Sequence, residues 1–400
     1  MEKVYIIAAK RSAIGAFAGG LSTVPAPVLG AAVARDVLSS SGVPVEKLDE
    51  VIVGNILPAG CGQGVARQVA IRAGVPIEVP AWGISMACGS GMKAVMSASA
   101  NASTGMGSLY LAGGTESMSL APYLLPGARS GLRMGNKEIV DHMVYDALTD
   151  AFDNIHMGIT AENIAKKLQI SREEQDAFAI GSQEKAIRAV DAGAFRGEIT
   201  PITIKVRKEE IVFDTDEYPN RKTSLEKLAA LKPAFLPDGT VTAGNASGIN
   251  DGAAFLLIAS ERAVKEYGLS PLAEIIGWGQ GGVQPSLMGL GPVPAVRAAL
   301  KMSGRTLADM QRIELNEAFA AQSLGVVKML CEEHNMDKET LLSRTNKNGG
   351  AIALGHPVGA SGARIIVTLL AGMRAAGEET GLASLCIGGG MGTAVVLKSC

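Results

Sequence analysis

The sequence predicts an α/β protein made of two similar halves with a segment inserted between them. Three observations predict it. First, short apolar runs alternate with stretches of helical periodicity near both ends of the 400-residue chain, the pattern of strands and helices in layers over a parallel sheet. Second, the chain repeats itself. Gly42 to Asn55 aligns without a gap on Gly304 to Glu317 (317 − 55 = 262), and Val45, Leu48, Val51 and Val53 meet Leu307, Met310, Ile313 and Leu315. Ser90-Gly91-Met92-Lys93 then meets Ser361-Gly362-Ala363-Arg364 (361 − 90 = 271), and Leu111-Ala112-Gly113-Gly114 meets Cys386-Ile387-Gly388-Gly389 (388 − 113 = 275). Third, the texture between the copies is different, with charge runs such as Arg172-Glu173-Glu174 and Arg207-Lys208-Glu209-Glu210. The expected organisation is an N-terminal half over 1–119, completed by about 250–270, an inserted loop domain over 120–249, and a C-terminal half over 271–400. A two-unit repeat pairs around a pseudo-two-fold axis and sets corresponding loops side by side.

Taken in order, residues 4–9 form a short apolar run that reads as a buried strand. After Gly15, Gly19 and Gly20, residues 29–38 have helical spacing, and the β-branched run 50–55 reads as a strand. Residues 66–73 look helical until Gly74-Val75-Pro76 stops them, and the apolar stretch 82–86 leads into Ala87-Cys88-Gly89-Ser90-Gly91 and a helix over 92–100. Residues 109–112 are a strand closed by Gly113-Gly114. The inserted segment carries helices over 160–168 and 172–192, then the small-residue loop from Thr240 to Gly248, which can meet a ligand with its backbone or serve only as a glycine turn. In the second copy, the strand 313–315 ends at Asn316-Glu317, and the periodic run 365–373 follows Gly355-His356-Pro357.

Composition narrows the function classes. The chain is 47% hydrophobic, 19% charged and only 4% aromatic, with mean hydropathy +0.23, so its core is aliphatic. A formal net charge of −2 argues against a polyanion-binding surface, and no nucleic acid is expected. No apolar run reaches the ~20 residues of a bilayer span, so no membrane is expected either. Five cysteines, odd in number and irregular in spacing, suggest neither a disulfide framework nor a metal site. The start of the chain reads as a strand without a signal peptide, and Leu397-Lys398-Ser399-Cys400 is not a peroxisomal address. A reducing cytoplasm is the expectation.

The repeat gives three of these residues a meeting place. Cys88 stands just before a helix in the first copy, at the level of His356 in the second, and Cys386 ends the last strand of the second copy, beside Gly388-Gly389-Gly390. Facing copies would bring all three to the strand-end crevice where α/β proteins place their sites. His356 sits on a stiff turn, because Pro357 fixes its own φ and biases its predecessor toward extended backbone. That turn suits proton chemistry or a buried structural histidine. A free cysteine titrates near ~8.5, and half-ionisation at pH 7 needs about 2 kcal/mol. A helix terminus typically supplies 0.3–1 kcal/mol, so Cys88 needs a base, and His356 is the candidate. A second cysteine is superfluous for hydrolysis but useful where a proton moves to or from carbon. Cys61, Cys331 and Cys400 have no such settings, and His142 and His334 read as surface histidines.

The blocks Cys88-Gly-Ser-Gly, Asn316-Glu317-Ala318-Phe319-Ala320, Asn348 to Pro357 and Cys386-Ile387-Gly388-Gly389-Gly390 resemble the signature motifs of the thiolase family, in the family's order and over essentially the whole chain. Gly-Ser-Gly after Cys88 and His156-Met157-Gly158 are similar to its acetyl-CoA acetyltransferase (acetoacetyl-CoA thiolase) branch. The resemblance implies the thiolase-like fold, layered α-β-α-β-α. It implies an acyltransferase in which Cys88 carries the acetyl group, His356 activates Cys88 and, with a water on Asn316, binds the thioester oxygen, and Cys386 moves the α-proton. Backbone N–H groups of Cys88 and Gly388 would form a second oxyanion hole. Coenzyme A would meet Ser247, Ala243 and Gly244 along its pantetheine, with Leu148, His156, Met157, Phe235 and Phe319 lining the tunnel and Arg221 at the adenine end. No metal or organic cofactor is implied; acetyl-CoA, acetoacetyl-CoA and coenzyme A are the partners, and a homotetramer, a dimer of dimers, is the family's assembly. The rival readings are a broad-range 3-ketoacyl-CoA thiolase, a ketoacyl synthase, a Cys/His/Asn hydrolase and a non-catalytic acyl-CoA-binding protein.

Overall fold

The computed structural model describes residues 2–206 and 209–400, so Met1 and the Arg207-Lys208 part of one charge run lie outside the described residues. The N-terminal half consists of β1 (Val4–Ser12), α1 (Ala26–Ser41), β2 (Glu50–Gly54), α2 (Val65–Ala73), β3 (Ala81–Ile84), α3 (Ser90–Thr104) and β4 (Leu109–Ser117). Two helices dominate the insert, α4 (Met157–Leu168) and α5 (Arg172–Asp191), before β5 (Asn250–Ser260) returns to the first half. The C-terminal half holds β6 (Ala273–Gly282), α6 (Pro292–Ser303), β7 (Arg312–Leu315), α7 (Ala320–His334), α8 (Val358–Ala376), β8 (Thr380–Ile387) and β9 (Met391–Ser399).

The strands run in the order β7-β8-β9-β6-β1-β5-β4-β2-β3, and the halves meet edge to edge where Tyr5 pairs with Glu274 and Ile6 with Ala273. The sheet is mixed, which corrects the expectation of a parallel one. Only β2–β3, β2–β4 and β7–β8 among these neighbours are parallel. The reason is the connection: β8 returns as β9 through Gly388–Gly390 alone, and a turn that short joins only antiparallel strands. Gly389 and Gly390 make the turn at φ +85° and +86°. In the first half the same connection, from β4 to β5, is opened out into the whole insert.

The repeat holds down to its irregularities. The ladder of β1 on β5 skips a residue between Ile6 and Ala8, and that of β6 on β9 skips one between Ile275 and Gly277. Where β3 pairs with β2 at Val51, the second half keeps a single parallel bridge, Ile313 to Thr345. Register corrects one alignment, however. Val51 pairs with Leu111 and Ile313 with Leu382, so Leu111 matches Leu382 (382 − 111 = 271) and Cys386 falls level with Thr115. The glycine pair 113–114 is not the counterpart of 388–389; similar small residues imitated each other four residues apart (275 − 271 = 4).

Three apolar clusters mark the layers. One lies under α1 and α2, one around α3 and α8 between the two halves of the sheet, and one under α6 and α7. Helices α3 and α8 cross at their glycines: a Cβ on Gly91 would lie 2.9 Å from Ala363 N and Gly359 O, and one on Gly362 2.5 Å from Met92 N. Helix α8 is also long and apolar enough to cross a membrane (mean hydropathy 1.2), which the sequence reading overlooked. Its setting explains the composition, since it is buried between the strands of the two halves along nearly its whole length. The insert is tied to β1 by Arg11, wholly buried and paired with Glu198 (2.5 Å) and Asp216 (2.7 Å). Buried ions in such a cluster are costly to strip of one partner, so the insert is held in fixed relation to the strand ends.

Candidate active site

The starts of α3 and α8 lie side by side, and each is preceded by a short turn carrying one reactive side chain. In the first turn, Ala87 sits at φ +39°, a conformation a residue with a Cβ adopts only under constraint. The constraint is Ser90, whose Oγ accepts the Met86 N–H (2.8 Å) and donates to the Ala87 carbonyl (2.8 Å). Gly89 leaves the space that Ile387 fills, a Cβ there lying 2.3 Å from Ile387 Cδ1. This turn presents Cys88, half-buried, above the sheet.

The second turn presents His356, which is held from both ends. Asn250 Oδ1, at the start of β5, accepts its backbone N–H (2.9 Å). Its ring Nδ1 lies 2.6 Å from Ser361 Oγ, and Ser361 gives its own hydrogen to the Pro357 carbonyl (2.8 Å). A hydroxyl has one hydrogen to donate, so Ser361 receives from the ring, and Nδ1 carries the proton. Nε2 is left with its lone pair and has no hydrogen-bond partner among the described residues. That is the tautomer a general base requires.

Burial decides the charge states. It pushes the Cys88 thiol up to about 11, although the N–H groups of Gly388 and of Cys88 itself, both directed at the sulfur, pull the other way. It lowers His356 to about 3, with the Arg364 guanidinium adding to the effect. Cys386, 1% exposed, is also raised, first by burial and then by the neighbouring Cys88. The resting site at neutral pH is therefore two thiols and an uncharged imidazole. Neither cysteine rests as a thiolate, so any nucleophilic use of Cys88 would need a proton acceptor, and Nε2, unpartnered among the described residues, opens into the same cavity.

Cys88, His356 and Cys386 open into one cavity of about 430 Å³. Its walls include Ser247, Ala243, Leu148, His156, Met157, Phe235 and Phe319, all singled out from the sequence. His156 caps α4 by accepting the Gly158 N–H at Nδ1 (3.0 Å), is held neutral by burial, and stacks on Phe235 at 4.7 Å. Phe235 meets Phe319 edge-on at 6.2 Å. The 242–248 loop is stitched to the other wall by Ser247 N–H on the Ala318 carbonyl (2.9 Å) and Ala320 N–H on that of Asn245 (2.8 Å). The result is a narrow apolar passage leading to three reactive groups, and it can admit a flexible chain ending in a thioester.

Four of the expected residues, Gly388, Asn316, Gly244 and Arg221, are not among the residues lining this cavity. Gly388 reaches the site through its N–H. Asn316 is buried behind the cavity, its Oδ1 3.5 Å from Arg364 Nη2 and its Nδ2 without a partner among the described residues. Gly244 lines the adjoining hollow, where Leu228 and Leu231 would crowd any side chain. Arg221 is exposed and forked onto Asp191 (2.5 and 3.0 Å). Glu317 turns inward to Ser182, Asn346 and the Ile352 N–H and leaves the rim to its neighbours. His142 is buried against Asp146 at 2.5 Å, not on the surface.

Residues 4–262 match the family of the thiolase N-terminal domain and residues 269–399 that of the thiolase C-terminal domain. The chain belongs to the thiolase family. It is 53% identical over 398 residues to an acetyl-CoA acetyltransferase of Pseudomonas aeruginosa, covering 99% of each chain. Its fold superposes with TM-score 0.97 on the acetyl-CoA acetyltransferase of Syntrophomonas wolfei (42% identical, 100% of each chain). It superposes with TM-score 0.93 on human mitochondrial 3-ketoacyl-CoA thiolase solved with CoA (43% identical, 100% of this chain and 98% of that one). Sequence reasoning missed several wall residues of this thiolase, among them Phe17, Met118, Tyr218, Met288 and Val358. Phe17 had a signal, an aromatic in a glycine-rich turn; Met118 and Met288 look like any core methionine until the fold places them.

Proposed function

We propose that this thiolase is an acetyl-CoA C-acetyltransferase, joining two acetyl-CoA molecules into acetoacetyl-CoA and free coenzyme A, or running the reverse thiolysis. The observation that carries the proposal is the convergence of Cys88, a bare His356 Nε2 and Cys386 on one cavity, with the Gly388 N–H aimed at the Cys88 sulfur. Cys88 attacks the acetyl carbonyl while its proton passes to Nε2; the C–S bond to coenzyme A breaks, and the departing thiolate takes that proton. Cys386 gives its own proton to Nε2 and, as thiolate, removes a proton from the methyl of the second acetyl-CoA. The carbanion attacks acetyl-Cys88, forming the C–C bond; the acyl C–S bond to Cys88 breaks, and the departing thiolate takes the proton back from Nε2. The Gly388 and Cys88 N–H groups stabilise the oxyanion of the acyl-enzyme, worth about 2.7–4 kcal/mol per donor in comparable sites. Asn316 Nδ2, which has no partner among the described residues, would hold the water that binds the thioester oxygen of the incoming substrate together with His356.

Segment 120–249 is the coenzyme A-binding domain in this reading, with the pantetheine lying along Ser247 and Ala243 between His156, Phe235 and Phe319. The chemistry needs thiols, an imidazole and N–H donors, so no resident cofactor is assigned. Exposed Trp82 on edge strand β3, and exposed Leu132, Met134 and Ile139, support a homotetramer by offering apolar surface for subunits. Five free thiols support a reducing cytoplasm. Radiolabelled acetyl-CoA should leave its label on Cys88, and thiolysis should favour acetoacetyl-CoA over 3-ketodecanoyl-CoA. A strong preference for the longer substrate would replace this reading with the broad-range one.

A further inference from the structure

Glu116, next to the end of β4, is wholly buried and takes no part in the steps above. Its Oε2 accepts the N–H groups of Ile56 (3.0 Å) and Gly359 (2.9 Å), and its Oε1 those of Leu57 (3.2 Å) and the Asn55 amide (2.7 Å). All four partners are donors, and the proton of a neutral carboxyl would find no acceptor among them. Burial and Asp251 on β5 oppose that preference and push Glu116 up to about 7. Gly359 lies in the first turn of α8, whose N-cap, Pro357, has no side chain with which to cap. Glu116 fills that role from another strand, placing a carboxylate where exposed N–H groups and the helix dipole favour one. Gly359 makes the approach possible, since a Cβ there would lie 2.4 Å from Oε2. Ile56 and Leu57, which the carboxylate holds, and Val358 at the start of α8 belong to the apolar cluster on which Cys88 packs, and after burial the charge of Glu116 adds to what opposes thiolate formation there.

We propose that Glu116 is a positioning residue: it clamps the His356 turn against the loop that follows β2, and through that clamp it sets a negative charge near the Cys88 thiol. The acylation part rests on the proposed function; the effect on Cys88 does not.

The test uses Glu116→Gln and Glu116→Asp in the full chain, with two readouts: alkylation of Cys88 by iodoacetamide across pH 6–10, mapped by mass spectrometry, and single-turnover acylation by acetyl-CoA. Gln keeps the size and removes the charge. Alkylation at pH 8 should rise several-fold as the thiol becomes more acidic, while acylation falls at least tenfold. Asp keeps the charge and withdraws the carboxylate from Gly359. Alkylation should then follow the wild-type pH curve while acylation falls. A folded Gln variant with the wild-type alkylation curve overturns the effect on Cys88, as does alkylation slowed in step with acylation. Should the Gln variant fail to fold, wild-type acylation in the Asp variant overturns the clamp. If wild-type protein is alkylated at Cys88 but never acylated by acetyl-CoA, the proposed function fails, and the alkylation comparison still decides the charge effect.

Discussion

Ser90 and Ser361 occupy the same place in the two halves, at or near the start of a central helix behind a reactive turn, yet they do different work. Ser90 spends both of its hydrogen bonds on backbone, holding Ala87 at φ +39° so that Cys88 stands proud of the sheet. Ser361 spends one on the Pro357 carbonyl and the other on the His356 ring. One serine shapes a loop; the other sets a tautomer. Duplication thus supplied a common scaffold, two helix starts packed at Gly91 and Gly362, and the chemistry came from what each half hung on it. The β4–β5 and β8–β9 connections diverged likewise: one is a three-glycine turn offering an N–H to Cys88, the other the whole insert that walls the passage.

The strongest test of that division separates the two cysteines. Cys88→Ala should lower turnover by about 10⁴-fold or more, the scale on which removing a catalytic nucleophile is felt, and no acyl-enzyme should form. Cys386→Ala should reduce condensation by a comparable factor but still take up one acetyl group per site from acetyl-CoA. Equal loss of acylation in both variants would break the assignment of one step to each half.

Next comes the serine pair. Ser361→Ala releases Nδ1 and with it the tautomer of His356, so kcat should fall by about 10–100-fold with little change in KM, the range known for partners that fix the tautomer of metal-binding histidines. Wild-type acylation should also stay level from pH 5 through neutrality. His356 is lowered to about 3, below its unfolded value near ~6.5, so the base stays unprotonated across that window. Folding stability has the matching sign: the unfolded chain binds the proton first, and stability falls as pH drops from 6.5 toward 3. An acid limb in acylation near pH 6.5 would sink the neutral-pair description.

The crossing glycines offer a symmetric measurement. Gly91→Ala and Gly362→Ala each drive a methyl into backbone of the opposite helix, and overpacking of this kind costs about 1–3 kcal/mol. The two losses should be similar in chemical denaturation. A large loss at one position alone would show that only one helix bears the contact.

Much of this was legible beforehand. Helical spacing marked the central helices because each buries an apolar face, and the repeat placed Cys88, His356 and Cys386 together. Strand direction was not legible, because alternation of strand and helix says nothing about a return through three glycines. Neither was the tautomer of His356: it depends on where Ser361 sends one hydrogen, a choice made by the backbone of the helix turn. The wall residues Met118 and Met288 differ from other core methionines only in facing an opening, a tertiary property. Asn316 and Glu317 face opposite ways, as neighbours on extended chain do, but their partners, Arg364 and Ser182, lie far along the chain and no spacing rule foretells them.

Arg221 gives the smallest effect and contrasts most with the core of the site. It is exposed, and its guanidinium already holds a carboxylate, that of Asp191. For Arg221 to serve the adenine end of coenzyme A, a phosphate must take Asp191's place. Both ions are open to solvent, where such pairs contribute about 0–1 kcal/mol, so the exchange is nearly even. Arg221→Ala should therefore raise the KM for acetyl-CoA only a few-fold and leave kcat unchanged. Asp191→Ala should lower KM slightly, because it frees the guanidinium, and added salt should shrink both effects. If Arg221→Ala leaves KM untouched at low ionic strength, the adenine end is held by other residues, and the insert's part in binding is confined to the apolar passage.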